Sequence, residues 1–307
     1  MRDISLIPSL TNPVCLDPQP PEPSCEPASV TRLDSGLRPS DFVWAGLLLL
    51  LGAFIWLRDP AWQVNASDTL PIIAAIPMFG WLGAPWRFRP GPVRPSLVRL
   101  TLAAFLLVLG LVLDLTFPLA AGWTLALWAW LEARVAGPAA AWRPLLLLPL
   151  MAFPWLTLDL TSLSWHFRLS AAWVVDHLFG ALGYSVVRQG TMLLVRGMPI
   201  EVVAACAGMN SLQAMLTGGV VLAALELRGN RWFWAAVASL PLVAWVANTL
   251  RVCAIVGAAV TRGHDFAVGW FHEGGGWIIV LSAFTVWWFV IRWLGRRPAS
   301  APRTPRA

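Results

Sequence analysis

Residues 232–260 read WFWAAVASLPLVAWVANTLRVCAIVGAAV, an apolar stretch in which Arg251 is the single charged side chain. A helix needs about 20 predominantly apolar residues to cross the hydrocarbon core of a bilayer, and this stretch is longer than that. Ionisable side chains are rare inside membrane helices and mark functional positions. The stretch therefore predicts a membrane-spanning helix that carries a cation with a functional role.

The composition of the whole chain indicates an integral membrane protein. Hydrophobic residues make up 58% of the 307 positions and charged residues 12%, whereas soluble domains contain about 25% charged residues. The formal net charge of +6 comes from arginine alone, because the sequence contains no lysine. These arginines fall in short loops between apolar runs, which is a signal of membrane topology and argues against a nucleic-acid partner.

Recurring apolar segments predict the fold class, an all-α polytopic transmembrane helix bundle with about eight spans. The segments cover residues 42–57, 70–86, 100–117, 119–133, 144–160, 202–227, 232–260 and 275–295. With eight spans and both termini inside, the arginine-rich loops all fall on one side, which the positive-inside rule makes cytoplasmic. Within the stretch 100–133, Asp114, Pro118 and Gly122 fit either a hairpin or a kinked helix.

The chain divides into five regions on this interpretation. They are a disordered Pro-rich cytoplasmic tail (1–40), about five N-terminal transmembrane helices (41–160), an outer-side amphipathic or interfacial segment (161–200), a core of three transmembrane helices (201–297) and a basic cytoplasmic tail (298–307). In the outer segment, the spacing of Trp173, Leu178 and Leu182 predicts an interfacial helix near 168–183, followed by a short extended stretch.

Three reactive or ionisable residues lie at matching depth in the last three predicted spans. Cys206 lies 22 positions from an arginine at the other end of its segment, and Arg251 and His272 each lie 20 positions from theirs. These arginines are Arg228, Arg231 and Arg292. At about 1.5 Å per helical residue, each interval is close to 30 Å, the hydrocarbon thickness of a bilayer. In antiparallel helices, a thiol, a guanidinium and an imidazole would therefore converge at one membrane face.

Together these side chains have the chemistry of nucleophilic catalysis. Cys206 begins a predicted helix, whose N-terminal partial positive charge lowers the pKa of a thiol and favours the thiolate. His272 is suited to acid and base work near neutral pH, and Arg251 provides a fixed cation for an oxyanion. Asn210 lies one turn after Cys206 and Asn248 one turn before Arg251, so each asparagine shares the face of the residue it accompanies.

Each of the three residues also has an ordinary structural explanation when taken alone. Cys206 fits a buried structural thiol, Arg251 a guanidinium that reaches the lipid headgroups, and His272 an interfacial imidazole. Their placement at one face is what favours a site.

The C-terminal part of the chain, about residues 165–295, resembles the exosortase/archaeosortase family of membrane transpeptidases. Three motifs carry the resemblance, and they follow the order and spacing of the family. They are Cys206-Ala207-Gly208, Asn248-Thr249-Leu250-Arg251, and His272-Glu273-Gly274-Gly275-Gly276-Trp277. Ala207 departs from the family pattern, which usually has serine at this position.

The resemblance implies a membrane cysteine peptidase or transpeptidase that cleaves the C-terminal sorting signals of exported proteins through a thioester. Such a signal combines a short motif, a transmembrane helix and a basic end. The implied catalytic residues are Cys206, Arg251 and His272, with Asn210, Asn248, Gly208 and Gly276 in supporting or substrate-binding roles. The implied partners are membrane-anchored substrate proteins and the lipid bilayer, and no metal or cofactor is required. The implied location is the bacterial inner membrane, with the site at its outer face.

Two other classes of function stay open on the residues alone. A non-catalytic transporter or assembly protein would use Arg251 to bind an anionic group. A metal site would draw on Cys206, Cys253 and His272, although these residues lack the regular spacing of known metal motifs. The oligomeric state does not follow from the sequence.

Overall fold

The fold is a helix bundle with one small sheet, seen in a computed structural model that describes residues 38–63, 66–89, 94–195, 197–201, 209–269 and 271–296. The helices are α1 (Pro39–Arg58), α2 (Ala66–Gly83), α3 (Leu97–Val112), α4 (Thr116–Arg134), α5 (Ala139–Trp142), α6 (Leu147–Met151), α7 (Trp155–Asp159), α8 (Thr161–Ala181), α9 (Met209–Leu227), α10 (Trp232–Arg262), α11 (His264–Val268) and α12 (Gly276–Gly295). The strands are β1 (Val186–Gln189), β2 (Met192–Val195) and β3 (Met198–Glu201). The two predicted tails lie outside the described residues, apart from the few positions at the start of α1.

The apolar helices confirm an integral membrane protein. Among the described residues, three helices are long and apolar enough to cross a membrane: Pro39–Arg58, Trp232–Arg262 and Trp277–Gly295. Shorter apolar helices cover Thr69–Gly83, Leu97–Val112, Ala139–Met151 and Leu212–Leu227. The predominantly helical class is therefore confirmed, and the number of eight spans stays a prediction.

The stretch that fitted either a hairpin or a kink forms a hairpin. Helices α3 and α4 pack against each other across a tight turn in which Asp114 adopts a φ of 57°. A Cβ atom on Gly110 would lie 2.7 Å from the Leu119 side chain, and one on Gly122 would lie 2.9 Å from the Ala103 carbonyl oxygen. The two glycines thus allow close backbone approach, as small residues do in membrane helix pairs.

The segment 144–160, expected to form one span, is divided into the short helices α6 and α7 with a 3₁₀ turn before them. Pro144, Pro149 and Pro154 lack the N–H that a continuous helix requires. Distant side chains satisfy carbonyls that this interruption frees. The indole of Trp56 donates to the Ala152 carbonyl at 2.7 Å, and Nε2 of Gln213 donates to the Met151 carbonyl at 2.8 Å. Such compensation is what makes broken helices tolerable at membrane depth.

A three-stranded antiparallel sheet follows α8, in the order β1-β2-β3, and the all-α prediction did not include it. Gly190, in the turn between β1 and β2, has a φ of 64°, a conformation that glycine adopts without steric cost. The sheet buries Leu193 and Val195 against α8 and α10, in a cluster with Val175 and Val256. Local apolar alternation in such short strands is too weak to predict their pairing, which depends on this cluster.

Helices α9, α10 and α12 form an antiparallel core in which α10 runs opposite to the other two. Gly219 of α9 faces the Leu240 side chain of α10 so closely that a Cβ atom would not fit between them. The indole Nε1 of Trp287 on α12 donates to the Ser239 hydroxyl of α10 at 2.9 Å. The contacts lie near the middle of α9 and α12 and in the first third of α10, and they fix the register of the three helices.

Arginines gather at the end of the bundle where α9 and α12 finish and α10 begins. Arg228 donates to the carbonyls of Leu82 at 2.9 Å and of Ala141 at 3.3 Å, tying together α2, α5 and the end of α9. Arg134, at the end of α4, donates to the Arg89 carbonyl at 2.7 Å. The loops that carry the predicted topology signal therefore meet at one end of the molecule.

Candidate active site

The Arg251 and His272 segments, and the start of α9 that follows the Cys206 motif, lie at the bundle end opposite these arginines. Helix α9 starts at Met209, helix α12 starts at Gly276, and Arg251 lies 11 residues before Arg262, the last residue of α10. The described backbone thus places the start of α9, Arg251 and the start of α12 at similar distances from the basic end. The sheet and the C-terminal turns of α8 lie at the same end.

Arg251 and Asn248 lie in the C-terminal half of α10 and differ in burial. Arg251 is half-buried, while Asn248 is 1% exposed. Val252, directly after Arg251, is buried among apolar side chains from α8 and the sheet. The packing of its neighbours therefore fixes the position of the Arg251 backbone.

The His272 backbone lies in a π-helical turn, Phe271–Gly275, immediately before α12. Phe271 anchors this turn, because its ring stacks on Phe266 with a centroid distance of 5.8 Å and packs on the cluster that contains Val252. A Cβ atom on Gly275 would lie 2.9 Å from the Phe271 ring, so this position favours glycine. π-helical turns of this kind often occur at functional sites.

Cys206 and Gly208 lie outside the described residues, and the elements on either side of them are well defined. Strand β3 ends at Glu201 and α9 begins at Met209. Asn210 belongs to the first turn of α9, and Gly276 is the first residue of α12. The predicted nucleophile is therefore in the connection between the sheet and the core helix α9.

A single apolar cluster includes residues next to Arg251 and His272 and a residue of the strand that precedes the Cys206 motif. Ile200 of β3 precedes the Cys206 connection, Val252 follows Arg251, and Phe271 precedes His272, and these three residues pack in the same cluster. The structure thus brings the Arg251 and His272 backbones to one apolar platform, together with the strand that leads to Cys206. Cys253 also packs against this cluster, as a half-buried thiol.

Buried polar side chains lie in α9 and α10, between this platform and the arginine-rich end of the bundle. Gln213 and Asn248 are each 1% exposed, and Thr217 is 4% exposed. Among the described residues, no hydrogen-bond partner meets either amide atom of Asn248, the Gln213 Oε1 or the Thr217 hydroxyl. Unsatisfied polar atoms are costly in an apolar interior. Their retention here indicates a polar function in this half of the core.

Gln213 is a candidate residue that the sequence interpretation missed. It lies one turn after Asn210 in α9, so the two share a face of this helix, and it follows Cys206 by seven positions in the sequence. A polar side chain within an otherwise apolar helix was the signal that could have identified it. No group of three His, Cys, Asp or Glu side chains that could hold a metal ion occurs within the described part of the chain.

Comparison with known families shows a match that covers much more of the chain than the three motifs. The family model described as transmembrane exosortase matches residues 62–289, which include α2 to α7 as well as the candidate site. No curated protein and no solved structure shows a significant match to the chain.

Proposed function

The chain belongs to the transmembrane exosortase family, and from that premise we propose that it is a membrane cysteine peptidase or transpeptidase. Its substrates are exported proteins whose C-terminal sorting signal combines a short motif, a transmembrane helix and a basic end. The observation that carries this proposal is the common platform of Ile200, Val252 and Phe271, each in or beside a motif-bearing segment.

The proposed reaction is acyl transfer through a thioester. The Cys206 thiolate attacks the scissile carbonyl carbon and forms a tetrahedral oxyanion. His272 takes the thiol proton and delivers it to the departing amine, so the C–N bond breaks while the C–S bond persists as the thioester. Arg251 compensates the negative charge on the oxyanion. An acceptor amine or water then attacks the thioester and restores the thiol.

Supporting residues surround this chemistry in the proposal. The Asn248 carboxamide, which makes no hydrogen bond to the described residues, is assigned to a polar group of the substrate. Asn210 is assigned to the substrate carbonyl one turn beyond Cys206. Gly208 and Gly276 allow close approach of the backbone to the substrate. The reaction requires no metal or cofactor.

The arginine-rich end is assigned to the cytoplasm by the positive-inside rule. The candidate site then faces the outer side of the bacterial inner membrane. In this orientation, the basic end of a substrate lies at the cytoplasmic face while its short motif reaches the site.

The deciding experiment is the size shift of a tagged substrate with such a signal in membranes that carry each variant. Cys206→Ala and Cys206→Ser are both expected to abolish processing, because a serine hydroxyl is far less acidic than a thiol. Cys253→Ala is the matched control and should process normally. Ala207→Ser restores the hydroxyl usual in the family and should be tolerated. If Cys206→Ala processed the substrate normally and Arg251→Gln did not, the result would instead support a non-catalytic role in anion binding.

A further inference from the structure

A lateral groove between α8 and α10 lies apart from the three motifs. It has a volume of about 690 Å³, within the range of small-ligand cavities. Its walls are mainly apolar and aromatic, with Phe167 and Trp173 from α8 and Leu242 and Trp245 from α10. Trp173 is 50% exposed and Leu242 is 62% exposed, so the groove opens sideways, toward the lipid in a membrane.

The groove extends over about one leaflet. Helices α8 and α10 run in parallel, since the Trp245 indole donates to the Ser170 hydroxyl at 2.9 Å and Phe179 reaches Gly257 further along. Pro241 marks the deep end of the groove, nine residues from the start of α10. The ten positions of α8 from Leu163 to Trp173, both in the lining, correspond to about 15 Å, half of a 30 Å hydrocarbon layer.

The arginine Arg188 lies at the shallow end of the groove. Arg188 of β1 is part of the lining, and its Nε lies 3.7 Å from the Asp176 carboxylate, too far for a hydrogen bond. This Nε is buried and has no hydrogen-bond partner within the described residues. The Arg188 side chain as a whole is 30% exposed and so is accessible to a ligand in the groove. An Arg fork suits phosphate, which it binds through paired donors.

We propose that this groove binds an anionic phospholipid of the adjacent leaflet, with one acyl chain between α8 and α10 and the phosphate against Arg188. The mainly apolar walls, the length of one leaflet and the cation at one end match the three parts of such a lipid. A transmembrane helix is the competing occupant. Helix pairs in membranes pack through small residues, whereas bulky aromatic side chains wall this groove, which favours a thin and flexible chain.

The test is native mass spectrometry of the purified, delipidated full chain with added phosphatidylglycerol or phosphatidylcholine. Wild type should retain phosphatidylglycerol more strongly. Arg188→Gln should lower that retention about fivefold, the contribution of one arginine to binding of anionic lipid, and should leave phosphatidylcholine unchanged. Arg188→Lys should keep most of the preference. Arg262→Gln is the matched control, an exposed arginine at the same end that is not in the groove.

A second variant tests the acyl-chain part of the groove. Leu242→Trp fills the space beside Trp245 and should reduce retention of both lipids, while thermal unfolding of the same preparations reports any loss of folding. Equal retention of the two lipids by wild type, or unchanged retention in Arg188→Gln and Leu242→Trp, would overturn the proposal. Unchanged lipid retention together with lost cross-linking of a transmembrane peptide in Leu242→Trp would assign the groove to a helix instead.

Discussion

Arg134 places its guanidinium 2.5 Å from the Asp41 carboxylate, and the two side chains are 1% and 2% exposed. This pair joins the start of α1 to the end of α4. Trp130 donates a further hydrogen bond of 3.3 Å to the same carboxylate. The arginine-rich end of the bundle is therefore a packed region of the protein. Its arginines do more than provide a topology signal.

Removing the carboxylate from this pair should destabilise the protein strongly. Asp41→Ala leaves the Arg134 guanidinium buried without its counter-charge, which costs about 3–5 kcal/mol. Glu132→Ala is the control, because Glu132 pairs with Arg99 and Arg143 while all three side chains are partly exposed, and each exposed pair is worth at most about 1 kcal/mol. Thermal unfolding in detergent measures both variants. Equal midpoints for the two would contradict a stabilising role for the buried pair.

The close approach of α3 and α4 predicts different outcomes for two helical glycines. Gly110→Ala should destabilise by about 1–3 kcal/mol, since its Cβ atom would overlap the Leu119 side chain. Gly46→Ala in α1 has open space within 4 Å and should be neutral or stabilising by up to about 1 kcal/mol. The free energy of unfolding in mild detergent separates the two. A tolerated Gly110→Ala would mean that the hairpin packs more loosely than described.

Asn248 should affect processing and stability in opposite directions. Asn248→Leu replaces a buried carboxamide that has no partner among the described residues, so the thermal midpoint should stay equal or rise. Substrate processing should fall at least about tenfold, the effect of losing one or two hydrogen bonds. The neighbouring Thr249→Val is the control, because the Thr249 hydroxyl donates to the Trp245 carbonyl within α10 at 2.9 Å. A purely structural Asn248 would show normal processing in Asn248→Leu.

The charge on Arg251 should not be sufficient for processing. Arg251→Lys keeps the charge and loses the planar fork of donors, so the initial rate of processing should fall about 100-fold, as when an oxyanion donor is removed. Arg262→Lys, at the exposed end of the same helix, should stay within about twofold of wild type. Wild-type rates in Arg251→Lys would restrict Arg251 to a role as a point charge.

Reporter fusions test the membrane orientation. Fusions after Arg143 and Arg228 should report the cytoplasm, because both residues lie at the arginine-rich end. A fusion after Gly190, in the turn between β1 and β2, should report the outer side. The same side for all three fusions would contradict both the eight-span prediction and the assigned orientation of the site.

Local properties of the sequence were sufficient to predict an integral membrane protein with apolar helices and to identify the three motifs. A long apolar run such as 232–260 predicts a membrane-spanning helix, because backbone N–H and C=O groups in the hydrocarbon layer must form hydrogen bonds within the segment. This requirement holds whatever the neighbouring helices are. The intervals from Arg251 and His272 to the basic ends translate directly into depth along straight helices. These predictions required no knowledge of which helices are neighbours.

Contacts between residues far apart in the chain decided the rest. The fit of Gly110 against Leu119 made a hairpin where a kink was equally consistent with the residues. The Met151 carbonyl is satisfied by Gln213, 62 positions away, which makes a broken helix tolerable. The sheet and the groove exist because α8 packs in parallel with α10. Helical periodicity describes one element at a time, so only the tertiary structure could place Arg188 at the end of an apolar groove.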